Sequence, residues 1–290
     1  MESLLYQLST GVANGCIYAS VALALVMIDL ATHHINFAQG EMATMGTFTA
    51  WALLQAGMPY WMAFGLAVAI STAAGFAIQR VIIRPFEKAP VLNNVVVFVG
   101  LLVTLNALSG WIFGHTIKEF PSPFASSKWL GNKYLSAHSM GSLLVMLTML
   151  LILFSFFRFT RLGLAMRAAA SNPLSARYSG IRVSWMLALG WGFAAAIGSV
   201  AGMMVAPVLY LDPNMMSGVL LYAFAAALLG GIHNPWGAVV GGFIVGIMEN
   251  ILGAYVTGTE LKLSVALVLI VSVLMFKPNG VFGKKIVSRV

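Results

Sequence analysis

The sequence predicts an all-α polytopic integral membrane protein, built from eight or nine transmembrane helices with broken or re-entrant segments. Three observations predict it. Of the 290 residues only 8% are charged and 60% are hydrophobic, with a mean hydropathy of +0.92, whereas a soluble domain carries roughly 25% charge. Apolar runs of about 17 to 25 residues, the length that carries a helix across some 30 Å of hydrocarbon, alternate with short polar stretches. Strict two-residue alternation is absent, which argues against a β-barrel.

Taken in order, the first apolar segment covers residues 4–30. Met1 and Glu2 lead into it without a basic region or a small-residue cleavage site, so it reads as a retained helix and not as a signal peptide. Segments follow at 40–56, 58–83, 91–114, 138–158, 184–210, 217–231, 236–254 and 260–277. Gly, Asn and Pro between 230 and 237 break the chain inside "GGIHNPWGAVVGG". That break leaves two options open, a pair of full crossings or a re-entrant pair enclosed by protein. The whole chain, 1–290, reads as one transmembrane domain.

Charge sets the orientation. Arg80, Arg84 and Lys88, then Arg158, Arg161, Arg167, Arg177 and Arg182, then Lys277, Lys284, Lys285 and Arg289 fall in loops that a consistent topology puts on one side. Lys118, Lys128, Lys133 and Lys262 fall opposite. By the positive-inside rule the loop at about 159–183 and the C-terminus are cytoplasmic, and "HTIKEFPSPFASSKWLGNKYLSAH" is outside. The net charge of +8 is explained by topology and calls for contact with membrane lipid, not nucleic acid. The lone Cys16 has no disulfide partner within the chain and reads as a small packing residue.

The cytoplasmic stretch "RLGLAMRAAASNPLSARYSGIR" has a local design. Asn172 before Pro173 is an N-cap followed by proline at the first helical position, and Gly180 supplies a left-handed stop, so residues 173–179 form a short helix. "LAMRAAAS" ahead of it is helix-prone. The expected product is a helical elbow, small-residue on one side and basic on the other, suited to docking another protein.

At these residues a resemblance emerges. "GLAMRAAASNPLSARYSGIRVSW" resembles the cytoplasmic coupling loop of ABC-transporter permeases of the branched-chain amino acid uptake family, specifically the smaller of the two permease subunits. "GVANGCIYASVALALVMIDLATHHINFAQGEMATMGTFTAW" is similar to that family's N-terminal signature, and "IIRPFEKAPVLNNVVVFVGL", "LLGGIHNPWGAVVGGFIVGIMEN" and "FKPNGVFG" resemble its other marked segments in the same order. There are departures: Gln39 stands where His is usual, and "DLATHHINF" replaces a more apolar approach. The resemblance implies an ABC importer permease fold in a bacterial inner membrane, a second homologous permease subunit, two cytosolic ATPases and a periplasmic binding protein. It implies that Gly163, Ala168 and Gly180 allow close approach to an ATPase, that Arg167 and Arg177 make charged contacts, and that Asn172 holds the elbow. No G-x-x-x-x-G-K-[ST] phosphate loop occurs in the chain. The chain is therefore expected to be non-catalytic and to bind no cofactor, with ATP and Mg held by the partner ATPases. The implied substrates are branched-chain amino acids or similar small polar solutes such as urea and amides.

Polar residues in apolar surroundings are costly unless they face protein or water, so they mark candidate positions on a translocation pathway. Asn36, Gln39 and Glu41 lie at the mouth of the second segment and Glu249 and Asn250 in the eighth, with Asn94, Thr104 and Asn106 as further candidates. For Glu41 and Glu249 two readings stand: bracing a helix break by accepting backbone N–H bonds, or lining the route where a carboxylate steadies an ammonium. His33 and His34 are adjacent and point apart on a helix, and His233 stands alone, so no metal site is expected. Small-xxx-small pairs occur at Gly11/Gly15, Gly198/Gly202, Gly237/Gly241 and Gly242/Gly246. The dense cluster at 237–246 suggests a subunit or gating interface. A secondary transporter or channel is the alternative that broken helices also suit, and a membrane-embedded enzyme would need an acid, base or metal constellation that the sequence does not display.

Overall fold

The computed structural model describes residues 2–32, 35–86, 89–124, 135–256, 258–277 and 279–283. His33, His34, Lys88, Lys128, Lys133, Lys284, Lys285 and Arg289 lie outside the described residues. Among the described residues eleven α-helices run in chain order: α1 (Glu2–Thr32), α2 (Gln39–Gln55), α3 (Tyr60–Ile78), α4 (Val91–Phe113), α5 (Ala137–Phe159), α6 (Arg161–Ser171), α7 (Pro173–Tyr178), α8 (Val183–Leu209), α9 (Met216–Gly230), α10 (Pro235–Tyr255) and α11 (Lys262–Phe276). The only β-pairing among the described residues is an isolated antiparallel bridge between Lys118 and Leu211. Every apolar segment read from the sequence is a helix, with ends displaced by a few residues. Six are long and apolar enough to cross a membrane; α9 and α11 are apolar but shorter, and α2 has 17 residues.

The helix ends follow from local chemistry. Proline precedes α3 and α4 as Pro59 and Pro90, and opens α7 and α10 as Pro173 and Pro235. In each place its missing N–H falls where no intrahelical bond is due. α3 runs on through a π-helical stretch (Gln79–Ile83) and a turn of 3-10 helix (Arg84–Phe86).

The chain forms two compact units, one of Met1–Val26, Phe124–Leu143 and Gly218–Val290, the other of Met27–Pro123 and Leu144–Ser217. In the first, α10 is the hub. A Cβ added at Gly15 would lie 2.9 Å from Phe243 Cα, one at Gly11 2.8 Å from Ile247 Cα, and one at Gly242 2.6 Å from Ala19 Cβ. Along that seam α1 and α10 meet backbone to backbone, the close approach that small residues permit in lipid, where helices gain little from hydrophobic exclusion and much from packing. On another face, Gly237 and Gly241 meet Gly230 and Ala226 of α9. The glycine cluster at 237–246 is therefore not a free subunit or gating surface. All four of its glycines are used up in packing α10 against α1 and α9.

In the second unit α8 is the hub. Gly75 of α3 sits against Trp191 and Ala195, Gly192 against Thr72, and Gly198 and Gly202 against Ala43 of α2. Trp191, with no exposed surface, stacks on Phe98 of α4 at 5.9 Å, and Phe193 meets Phe156 of α5 at 4.9 Å. α2 starts beside Ala194, midway along α8: Gln39 Nε2 donates to the Ala194 carbonyl at 2.8 Å. The first turn of α2 thus lies level with the middle of α8.

Candidate functional site

The elbow expected at 159–183 is two short helices. Thr160 caps α6, its hydroxyl accepting from Gly163 N at 3.0 Å. Asn172 caps α7, its Oδ1 accepting from Ser175 N at 3.0 Å. Gly180 closes the turn at φ +80, a conformation that L side chains avoid. The elbow is fixed at its inner side by Ala169, Ala176 and Val183, which are buried together with Ile181, Met186 and Leu187 packed on them.

Two expectations need correction here. Gly163 does not offer a close approach to a partner: a Cβ there would fall 2.7 Å from Phe157 Cα and nearer still to the Phe156 carbonyl, so this glycine lets α6 fold back on the end of α5. Nor do the alanines as a group form the outward surface. Ala169 and Ala176 face in and Ala168 is half-buried, while the outward side carries Arg161, Leu164, Arg167, Leu174, Arg177 and Tyr178, with Leu174 61% and Tyr178 85% exposed. A large exposed aromatic and two leucines set among arginines form an amphipathic knob. Asn172 and Gly180 are exposed as well.

The candidate pathway residues divide. Asn36 and Gln39 are fully enclosed and hold the helix break in shape: Asn36 Oδ1 accepts from Ala38 N at 3.0 Å, and Gln39 pins the first turn of α2 to α8. They are pins of the turn rather than residues with an open face. Asn94 is buried on α4, whereas Thr104 lies on the exposed side of the same helix. Glu41 stays partly exposed and joins a polar cluster. Its Oε2 accepts from Asn106 Nδ2 at 3.2 Å; the same amide reaches Asn214 Oδ1 at 3.0 Å and the Pro213 carbonyl at 3.3 Å, and Asn214 N donates to Asp212 Oδ1. Sequence reasoning missed Asp212 and Asn214, because Asp-Pro-Asn reads as turn chemistry. Held by the Lys118–Leu211 bridge on one side and the start of α9 on the other, that turn brings a second carboxylate to Glu41. The cluster is rich in acceptors, with the chemistry to receive a cationic N–H donor.

Glu249 lies in the other unit, with its own partners. Tyr18 Oη donates to Glu249 Oε2 at 2.8 Å, Lys262 Nζ stands 3.5 Å from Oε1, and Tyr18 stacks on Tyr222 at 4.9 Å. Lys262 reaches the carboxylate by laying its stem over Gly253, where a Cβ would fall 2.7 Å from Lys262 Cε. Side chains from α1 and α11 hold the carboxylate, in place of the backbone N–H groups invoked by one of the two sequence readings. Asn250 donates to the Gly246 carbonyl at 3.0 Å.

Two of the marked sequence segments come together in the same unit. At the break between α9 and α10, Gly231 adopts φ +107 and Asn234 caps α10, accepting from Trp236 N and Gly237 N at 3.2 Å. The C-terminal run folds onto that break: Asn234 Nδ2 donates to the Phe282 carbonyl at 3.1 Å, and Val281 N donates to the Leu229 carbonyl at 2.7 Å. The "GGIHNPWG" and "FKPNGVFG" stretches are therefore two halves of one local structure. His233 sits in this turn, and no group of three metal-ligating side chains occurs among the described residues.

Known proteins match along the whole chain. The permease protein LivH of the high-affinity branched-chain amino acid transport system of Escherichia coli is 31% identical over 313 residues, covering 100% of this chain and 99% of the relative. The permease protein BraD of the corresponding system of Pseudomonas aeruginosa is 28% identical, covering 99% of this chain and 98% of that protein. Among solved structures, PsaBC from Streptococcus pneumoniae in complex with Fab shares the fold at a TM-score of 0.52 with 11% identity, covering 93% of this chain and 91% of that one. Residues 7–274 match the family described as branched-chain amino acid transport system / permease component, and the chain belongs to that family.

Proposed function

We propose that this chain is the smaller permease subunit of an ATP-driven importer in a bacterial inner membrane, carrying branched-chain amino acids or similarly small polar solutes. The observation that carries the reading is the α6–α7 elbow: two capped helices anchored on α8 that present Leu164, Leu174 and Tyr178 among arginines outside the apolar layer. Surface signalling to lipid headgroups requires only charge, whereas an anchored apolar knob matches a protein groove. On this reading the elbow faces the cytosol and docks an ATPase. Closure of an ATPase pair moves α6 and α7, and their packing on α8 passes the motion to α2, α3 and α4, which meet α8 in the same unit. A second permease subunit and a periplasmic binding protein complete the machine, and the C-terminus is cytoplasmic.

The Glu41–Asn106–Asp212–Asn214 cluster supplies the acceptors that an amino acid's ammonium group requires on its way through. A urea or simple amide carries no such charge and gains less from two carboxylates, so the cluster favours amino acids.

Co-expression with the neighbouring genes and purification in mild detergent tests the docking. Recovery of two ATPases with the native chain, and their loss with Leu174→Asp while the chain still inserts, is the expected result. Retention of the ATPases by that variant together with Tyr178→Asp would remove the elbow from the mechanism. Solute uptake driven by an ion gradient without ATP would instead make the chain a secondary transporter.

A further inference from the structure

In the second unit, where α3 passes into its π-helical turn and α8 begins, two arginines share one indole ring. The guanidinium carbon of Arg80 lies 5.3 Å from the centre of the Trp185 ring and that of Arg182 lies 5.8 Å from it, within the range at which a cation is drawn to an aromatic face. Phe76 of α3 packs on the same tryptophan at 5.3 Å, and Arg80 Nη1 donates to Ser184 Oγ at 3.2 Å. Arg84, exposed, follows four residues after Arg80. Among the described residues no carboxylate pairs with any of these three arginines. Trp185 is 43% exposed, and Val81 and Ile82, in the same turn as Arg80, are exposed as well.

Two cations held on one ring repel each other, and the pull of an exposed indole on each is weak. An anion that both can reach turns that repulsion into attraction. Arg80 spends one N–H on Ser184, and Arg182 makes no hydrogen bond through its side chain among the described residues. Both therefore keep the forked donors that take phosphate oxygens two at a time. We infer that Arg80 and Arg182 form a binding site for the phosphate of an anionic phospholipid headgroup, with Trp185 beneath them and Arg84 adding positive charge nearby. The apolar neighbours favour lipid over a soluble protein as the source of that phosphate. Val81, Ile82 and Trp185 are open to the surroundings beside the guanidinium groups, which marks the boundary of the apolar layer, where lipid phosphates lie and tryptophan concentrates. Arg80 also stands in a π-helical turn, a rare geometry that recurs at functional sites. General attraction of basic loops to an anionic surface needs only net charge, whereas this site needs two particular arginines. The inference goes beyond the transport reading and uses neither ATPase nor solute.

Native mass spectrometry of the full chain, purified in an uncharged maltoside detergent, tests it. Such a micelle has no charged surface of its own, so lipid retained on the chain reports a site. Phosphatidylglycerol and phosphatidylcholine are titrated into the native chain, into Arg80→Gln/Arg182→Gln and into Arg158→Gln/Lys277→Gln, which removes the same charge from two exposed helix ends. The native chain is expected to hold phosphatidylglycerol in preference to phosphatidylcholine. Loss of the charge-assisted bonds in Arg80→Gln/Arg182→Gln should weaken phosphatidylglycerol binding by about tenfold or more, against about twofold or less in the control. Arg182→Gln alone, at an exposed residue, guards against misfolding and is expected to weaken the same lipid by about fivefold. An equal loss in the control would reduce the effect to net charge and overturn the site, as would retention of the lipid by both arginine variants. Displacement of phosphatidylglycerol by inorganic phosphate, but not by sodium chloride at the same ionic strength, would make the ligand a free phosphate and overturn the lipid assignment. If Arg80→Gln/Arg182→Gln keeps the lipid but loses co-purified ATPases, the arginines serve a protein contact and the inference falls. Solute uptake plays no part in this readout, so loss of the transport reading would leave it standing.

Discussion

Replacing Gly242 by alanine adds one methyl group at the point where α10 lies flat against α1. That methyl would sit 2.6 Å from Ala19 Cβ, with the Ala19 backbone nearer still. Carbon atoms rest at about 3.5–4.0 Å, so the two helices must part by about 1 Å at this level. Gly246, one turn on, meets Gly15 in the same way, and a rigid helix cannot yield at 242 without opening the contact at 246. A gap of that width forfeits about a quarter to a half of each dispersion contact it opens, and overpacking of this kind costs about 1–3 kcal/mol. The control is Gly65→Ala and Gly100→Ala. These glycines also lie inside helices, but a Cβ at either meets nothing within 4 Å, so alanine there should gain about 0.5–1 kcal/mol through the backbone alone. Tryptophan fluorescence during denaturant unfolding of the purified chain in mild detergent reads both signs. Gly242→Ala is expected to unfold earlier and the two controls at the same point or later. Equal behaviour of all three variants would refute the backbone-contact account of the α1–α10 seam.

Three further outcomes follow from the geometry. Lys262→Met leaves the buried Glu249 carboxylate with Tyr18 alone and should cost about 3 kcal/mol, the low end for a buried pair, because the Lys262 side chain is 26% exposed; adding Glu249→Leu should recover most of it, which the same unfolding assay measures. Asn172→Ala removes the α7 cap and should weaken the elbow by about 1 kcal/mol, seen as faster trypsin cleavage at Arg177 and lower ATPase recovery, with Asn172→Gly milder. Asn106→Leu takes from Glu41 its amide donor, a charge-assisted bond of about 1.5–3 kcal/mol; uptake is expected to fall by about tenfold or more while the ATPases still co-purify, and unchanged uptake would take the cluster off the route.

Much of this architecture was legible because membrane helices announce themselves by length and hydropathy, and because prolines and capping asparagines mark their ends. Pro173 after Asn172 and Pro235 after Asn234 put the starts of α7 and α10 where the sequence expects them, and Gly180 and Gly231 hold the left-handed turns. What sequence periodicity does not carry is direction. Gly163 and the alanines of the elbow read as an outward surface because small residues suit any close contact, inside or out; only the packing within the elbow and on α5 and α8 shows that Gly163, Ala169 and Ala176 face inward. The same ambiguity hides in the glycines at 237–246, whose spacing fits a partner subunit as well as it fits α1 and α9. The polar cluster was half legible. Glu41 and Asn106 stand out against apolar neighbours, while Asp212 and Asn214 sit in a loop whose composition is ordinary and reach the cluster only through a long-range fold. Asn36 and Gln39 stood out for the same reason as Glu41, yet they serve to hold the break between α1 and α2, a role that buried polar groups at an interrupted membrane helix commonly take.

The claim at the centre of this account is that the chain is the membrane half of an ATP-driven amino acid importer. Radiolabelled leucine uptake into proteoliposomes tests it most directly, with this chain reconstituted beside the second permease and ATPases encoded next to it, ATP trapped on the ATPase side and the binding protein on the other. The account predicts uptake that requires ATP, binding protein and the intact elbow together, and that is not reproduced with urea. Uptake that proceeds without ATP or without the ATPases, or urea transport with no transport of leucine, would contradict it.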